Sequence, residues 1–83
     1  MITITCSIYD QATNAYMRPF MAQTVGQAVR EFQDEVLRPE SAMGKHKEDY
    51  ALFQVGTFDD QNGLVEAIEP RCLRRAHEIE TEQ

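Results

Sequence analysis

Residues 2–9 alternate strictly, with Ile2, Ile4, Cys6 and Ile8 on one side and Thr3, Thr5, Ser7 and Tyr9 on the other. A period of two, rich in β-branched residues, predicts a half-buried strand whose second face meets solvent or a partner. Residues 10–14, DQATN, then supply turn chemistry. Residues 15–21 are expected to return as a short second strand or an extended loop. Pro19 gives no amide donor to a ladder, so this segment belongs at a sheet edge. The period changes over residues 24–37. Val25, Ala28, Val29, Phe32 and Val36 form one stripe, and Arg30, Glu31, Asp34 and Glu35 fill the rest of the circumference, the pattern of an amphipathic helix. Thr24 is its expected N-cap, with Gln27 three residues on completing a capping box. Arg38-Pro39 ends it, because the residue before proline is steered out of the α region.

Residues 40–49 show neither period and are expected to be a loop; they carry the chain's only lysines, Lys45 and Lys47. Two apolar runs follow, residues 50–58 and 64–68, about the bend Asp59-Asp60-Gln61-Asn62-Gly63. This reads as a β-hairpin, since Gly accepts positive φ freely and Asn tolerates it better than most residues. The incoming strand is apolar on both faces, with Tyr50, Leu52 and Phe58 on one and Ala51, Phe53 and Val55 on the other, so it is expected at the centre of the sheet. Pro70 suits the first position of a terminal helix over residues 70–79, with Glu69 near its positive end. In that helix Leu73 and Ala76 face inward with Cys72 or Ile79 beside them. A frayed tail is expected over residues 80–83. The pattern predicts one α+β domain: a small antiparallel sheet of three to four strands, one main helix packed on a face, and a short C-terminal helix.

Composition narrows the function. A chain of 83 residues has no room for a second core and buries only about 60–65% of the surface its unfolded form exposes. Hydrophobic residues at 42% and charged residues at 27% fit a globular chain. The net charge of −6 argues against nucleic-acid binding driven by overall charge, while leaving room for a local basic patch. No apolar run approaches the roughly 18 residues of a membrane span. The N-terminus lacks a basic n-region and a small-residue cleavage site. A cytoplasmic protein with no membrane partner is therefore expected. The two cysteines, Cys6 and Cys72, have no metal or redox spacing; both lie on predicted apolar faces and read as buried free thiols rather than a disulfide.

Catalytic chemistry is not written in the chain. The acidic bend fails as a calcium loop, because placing Gly63 at the sixth position puts Phe58 at the first, where an oxygen ligand is needed. His46 and His77 have no second ligand at zinc spacing. A Cys–His pair, Cys6 or Cys72 with His77, would demand thiolates at positions read as buried. No phosphate-binding loop or nucleophile elbow is present. Neither an enzymatic role nor a cofactor is expected. Two basic clusters remain, Lys45 with Lys47 in the loop and Arg71, Arg74 and Arg75 on one face of the predicted terminal helix. Arg18, between Tyr16 and Phe20, places a cation beside aromatic rings. Brought together, these residues would hold phosphates while Tyr16 or Tyr9 stacks on unpaired bases. The competing reading pairs the arginines with Glu66, Glu69, Glu78 and Glu80.

Three segments occur in an order that resembles a known family: SIYDQATNAYMRPF near the start, Ala28-Val29-Arg30-Glu31-Phe32 within the helix, and KHKEDYALFQVGTFD at residues 45–59. The family is the small nonstructural protein of gokushovirus-type microviruses, which are single-stranded DNA phages. Lys47 stands where that family usually has proline, which loosens the loop. The resemblance covers most of residues 4–77 and is most specific in the hairpin. It implies a DNA-binding protein acting in viral genome replication or the switch to single-strand synthesis, inside the infected bacterium, and it brings no catalytic residue. On that reading the site residues are Arg18, Lys45, Lys47, Arg71, Arg74, Arg75 and Tyr16, and the partners are single-stranded DNA or a viral or host replication protein. The alternative is an acidic protein-interaction module, a homodimer among its options, that touches no DNA and uses Tyr9, Tyr16 and Phe20 as its interface.

Overall fold

In the computed structural model, which describes residues 1–80, the alternating N-terminal segment forms β1 (Ile2–Asp10). Then come β2 (Ala15–Tyr16), β3 (Phe20–Ala22), α1 (Val25–Leu37), α2 (Ala42–Lys45) and a 3-10 turn at Lys47–Asp49. The chain continues as β4 (Tyr50–Asp59), β5 (Leu64–Arg75) and a second 3-10 turn at Ala76–Glu78. All pairings are antiparallel. The order is β2-β1-β4-β5, with β3 also on β1, so the two short strands share the outer edge on either side of Met17-Arg18-Pro19. The α+β class stands: an antiparallel sheet with one main helix on one face. β4, apolar on both sides, is central.

The core lies between that helix and one face of the sheet. Ala28, Phe32 and Val36 of α1 press on Cys6, Ala22 and Leu52, and Met43, Ala76 and Ile79 close the ends. Phe32 and Leu52 are fully buried, and removing each from water contributes about 1.5–3 kcal/mol. Val25, on the same stripe, lies over the first turn and stays 37% exposed. The Thr24 hydroxyl accepts from the Gln27 amide (3.1 Å), while Gln27 Oε1 reaches one residue further than a capping box, to the Gln23 amide (2.9 Å).

Four expectations are corrected. Residues 70–79 do not form a helix: β5 runs through Pro70 to Arg75, and a single 3-10 turn follows. β5 is an edge strand, and Pro70 falls where the register slips between Gln54↔Arg71 and Gly56↔Ala67, so its missing amide donor breaks no rung. Residues 40–49 are not an open loop. Ser41 caps α2 through the Met43 amide (3.1 Å) and also donates to Glu35 (2.9 Å), which Arg38 holds by two bonds (3.0 and 2.8 Å). Gly44 passes so close to the Val36 carbonyl that any Cβ would collide with it. Phe58 is not on the face of Leu52. The ladder slips at Val55, between Cys6↔Gln54 and Thr5↔Gly56, and turns Phe58 to the side of Thr3. Finally, Cys72 is exposed on β5, while Cys6 alone is buried.

The hairpin bend closes through the Gly63 amide on the Asp59 carbonyl (2.8 Å), with Gly63 alone of the bend at positive φ (76°). The Met1 amine meets Asp60 at 2.7 Å. From Thr81 onward the expected frayed tail lies outside the described residues. No helix among these residues is long and apolar enough to cross a membrane.

Candidate functional site

Directly opposed residues of an antiparallel ladder project to the same face, so the register assigns each side chain. The helix side receives Ile2–Asp59–Leu64, Ile4–Thr57–Glu66, Cys6–Gln54–Arg71 and Ile8–Leu52–Arg74. The open side receives Thr3–Phe58–Val65, Thr5–Gly56–Ala67, Ser7–Phe53–Cys72 and Tyr9–Ala51–Arg75, with Tyr16 beside Tyr9 and Met21 beside Thr5. No carboxylate occupies any of these paired open-side positions. The acidic side chains Glu31, Asp34 and Glu35 ride on α1, across the sheet.

Three rings cluster at one end of the open side. Tyr9 and Tyr16 are 4.9 Å apart by ring centroid, Tyr16 and Phe53 5.6 Å, and Tyr9 and Phe53 6.3 Å, all edge to face. Such pairs add about 0.5–1.5 kcal/mol beyond their burial. Asn14, at φ 60°, turns the chain back so that its side chain accepts from the Tyr9 hydroxyl (2.5 Å). The Ser7 hydroxyl donates to the Met17 carbonyl (2.6 Å) and holds the strand that carries Tyr16. Tyr16 remains 45% exposed.

A cavity of ≈ 160 Å³ adjoins the rings, walled by Tyr9, Phe53, Glu48, Asp49, Arg75 and His77 among others. Its walls come from separate segments tied together: the Gln11 amide donates to the Asp49 carbonyl (2.7 Å), and Lys47 Nζ donates to the Ile79 carbonyl (2.8 Å). The Arg75 amide meets Glu78 (3.1 Å), fixing the turn that carries His77. Burial, followed by the charges of Asp10 and Asp49, pushes the hydroxyl of neighbouring Tyr50 above its ordinary range.

The structure divides the predicted basic set. Arg75 stands in the row of Tyr9, and Arg18 lies exposed at the opposite sheet edge. Arg71 turns to the helix side and donates to Gln54 (3.0 Å); Arg74 turns the same way and meets Glu78 at 3.7 Å. Lys45 is exposed in the last turn of α2, and Lys47 is engaged with Ile79. The three arginines therefore do not share a face, because the strand period of two separates what a helical period would have joined. Phe20, opposite Cys6, is partly buried against the core and stands apart from the cluster of Tyr9, Tyr16 and Phe53. Phe53, Glu48, Asp49 and His77 were not singled out for the site by sequence reasoning; the second apolar face of β4 was the signal that pointed there.

The profile of the family described as Phage ORF5 protein matches residues 3–79. The chain belongs to this family. It is thus a member of a phage protein family, and the matched residues include all of the strands but Ile2, both helices and the aromatic cluster. No curated protein and no solved structure matches the chain.

Proposed function

We propose that this phage protein binds single-stranded DNA on the open face of its sheet during viral genome synthesis. The observation that carries the reading is the triad Tyr9, Tyr16 and Phe53 on a face without paired carboxylates, with Arg75 and Arg18 toward its two edges. Exposed rings stack on unpaired bases with little regard to sequence, and arginines follow the backbone. The acidic residues of α1 lie across the sheet from the rings while Glu48 and Asp49 stand beside them, so binding rests on the local cations and on stacking rather than on the net charge of −6. β2 and β5 are three strand spacings apart, about 14 Å, so phosphates at both margins fit a strand crossing the sheet. The resemblance to the nonstructural proteins of gokushovirus-type microviruses supplies the single-stranded genome.

The test is fluorescence anisotropy of a labelled single-stranded oligonucleotide at two salt concentrations. Tyr16→Ala with Phe53→Ala is expected to weaken binding by about 1–3 kcal/mol per base that no longer stacks. Arg18→Ala with Arg75→Ala is expected to flatten the salt dependence by about 0.7 in log–log slope for each phosphate left without its cation. Arg71→Ala with Arg74→Ala, on the other side of the sheet, should change little. Absence of binding at low salt, or equal sensitivity of both arginine pairs, overturns the reading.

A second reading, a protein-interaction module, draws on the other end of the same molecule. Met21 and Val65, both on the open side, are 48% and 60% exposed, apolar surface that suits a protein partner or a second copy. On that reading Val65→Glu abolishes self-association in sedimentation while oligonucleotide binding is absent throughout.

A further inference from the structure

The cavity beside the rings has a chemistry that stacking alone does not require. Its walls combine three aromatic residues, Tyr9, Tyr50 and Phe53, two carboxylates, Glu48 and Asp49, a guanidinium, Arg75, and an imidazole, His77. At ≈ 160 Å³ it lies well below the roughly 300–1,000 Å³ of sites for drug-sized ligands, and so suits a single planar ring system. Ionised carboxylates only accept hydrogen bonds; they therefore select a ligand edge that carries donors. Two carboxylates sharing a small cavity with a guanidinium favour a neutral donor-bearing ring over a metal ion, which the guanidinium would repel. The ties from Gln11 to Asp49 and from Lys47 to Ile79 hold the walls in place before any ligand arrives.

We infer that this cavity is a base-reading pocket: it takes one nucleobase extruded from the strand on the platform and prefers a base with an exocyclic amino group, cytosine above thymine. The ring lies against Tyr9 and Phe53, the amino group donates to Glu48 or Asp49, and Arg75 and His77 face the phosphate side. Cytosine offers an amino donor at the position where thymine offers a carbonyl acceptor, and that acceptor would confront a carboxylate oxygen. This inference rests on the proposed binding of single-stranded DNA and adds selectivity to it.

The experiment compares labelled dodecamers of deoxycytidine and of thymidine by anisotropy at pH 7.5, with the full chain and with Glu48→Gln/Asp49→Asn. Both probes are pyrimidines, so stacking on the platform is closely matched. The wild-type protein is expected to bind the cytosine probe about 5-fold tighter or more, the low end of what one well-placed base contact discriminates. The double variant keeps the shape of both side chains, and its loss of charge raises affinity for both probes in parallel, so only their ratio reports on base reading. That ratio is expected to fall to about 1. Thermal melts of the variant establish that it is folded. If the wild type binds both probes equally and Tyr16→Ala/Phe53→Ala still weakens binding, the pocket inference is wrong while the platform stands. A variant that keeps the cytosine preference also overturns it. If neither probe binds, platform and pocket fall together.

Discussion

Cys6 and Cys72 show how far one position's surroundings decide its chemistry. Burial, with a smaller contribution from Glu31, pushes the Cys6 thiol up, away from the reactive thiolate, whereas Cys72 is exposed. A thiol reagent is expected to label one cysteine rapidly in the native protein and the second only on unfolding; two fast thiols would contradict the burial of Cys6. Glu35 is held below the ordinary carboxylate range, first by its bonds from Arg38 and then by that from Ser41. A carboxylate with a depressed folded pKa stabilises the fold above its unfolded value, about 4.3, and that contribution disappears as the pH falls through the folded value. Denaturant melts between pH 2 and 6 should therefore show a steeper acid-side loss in the wild type than in Glu35→Gln. Glu40 sits at φ 69°, a conformation that costs a residue with a side chain roughly 1–2 kcal/mol. Glu40→Gly should raise the melting temperature, since glycine occupies that region freely.

At the scale of elements, β5 is the instructive case. The spacing of Arg71, Arg74 and Arg75 and the position of Pro70 both read as helix, and both are equally compatible with a bulged edge strand. What separates the two is the partner: β4 offers an unpaired ladder edge, and the ladder bonds formed along it outweigh the local preference. Gly56 marks the same approach of the two strands, because a Cβ there would meet the Glu66 carbonyl at 2.5 Å. Gly56→Ala is expected to destabilise by about 1–3 kcal/mol, the usual cost of overpacking, as read by urea denaturation. Phe32→Ala, which empties the centre of the packing between α1 and the sheet, should cost about 3–5 kcal/mol. Marginal folds of this size hold only about 4–12 kcal/mol in total, so its melt should shift far more than that of any surface variant. The α1 amphipathic stripe, by contrast, was legible from sequence because helical period, cap and proline stop all agreed.

Over the whole molecule, the sheet register sorts charge more decisively than composition does. Net charge describes the chain as a bag of residues; the ladder puts Glu66 and Asp59 on one side and Tyr9, Phe53 and Arg75 on the other. The local sequence determined the α+β class, the alternating first strand, the helix with its buried stripe and the hairpin bend, since each rests on a period or turn residue within a few positions. It also contained the site's ingredients, in Tyr9, Tyr16, Arg18 and the second apolar face of β4. Only the tertiary structure decided which of them meet. The slip at Val55 moved Phe58 across the sheet, and strand pairing in place of a terminal helix split the arginines. The ties from Gln11 to Asp49 and from Lys47 to Ile79 built a cavity from segments far apart in the chain. Those outcomes depend on long-range pairing and close packing, whose free energy belongs to pairs of distant residues and leaves no periodic trace in either partner alone.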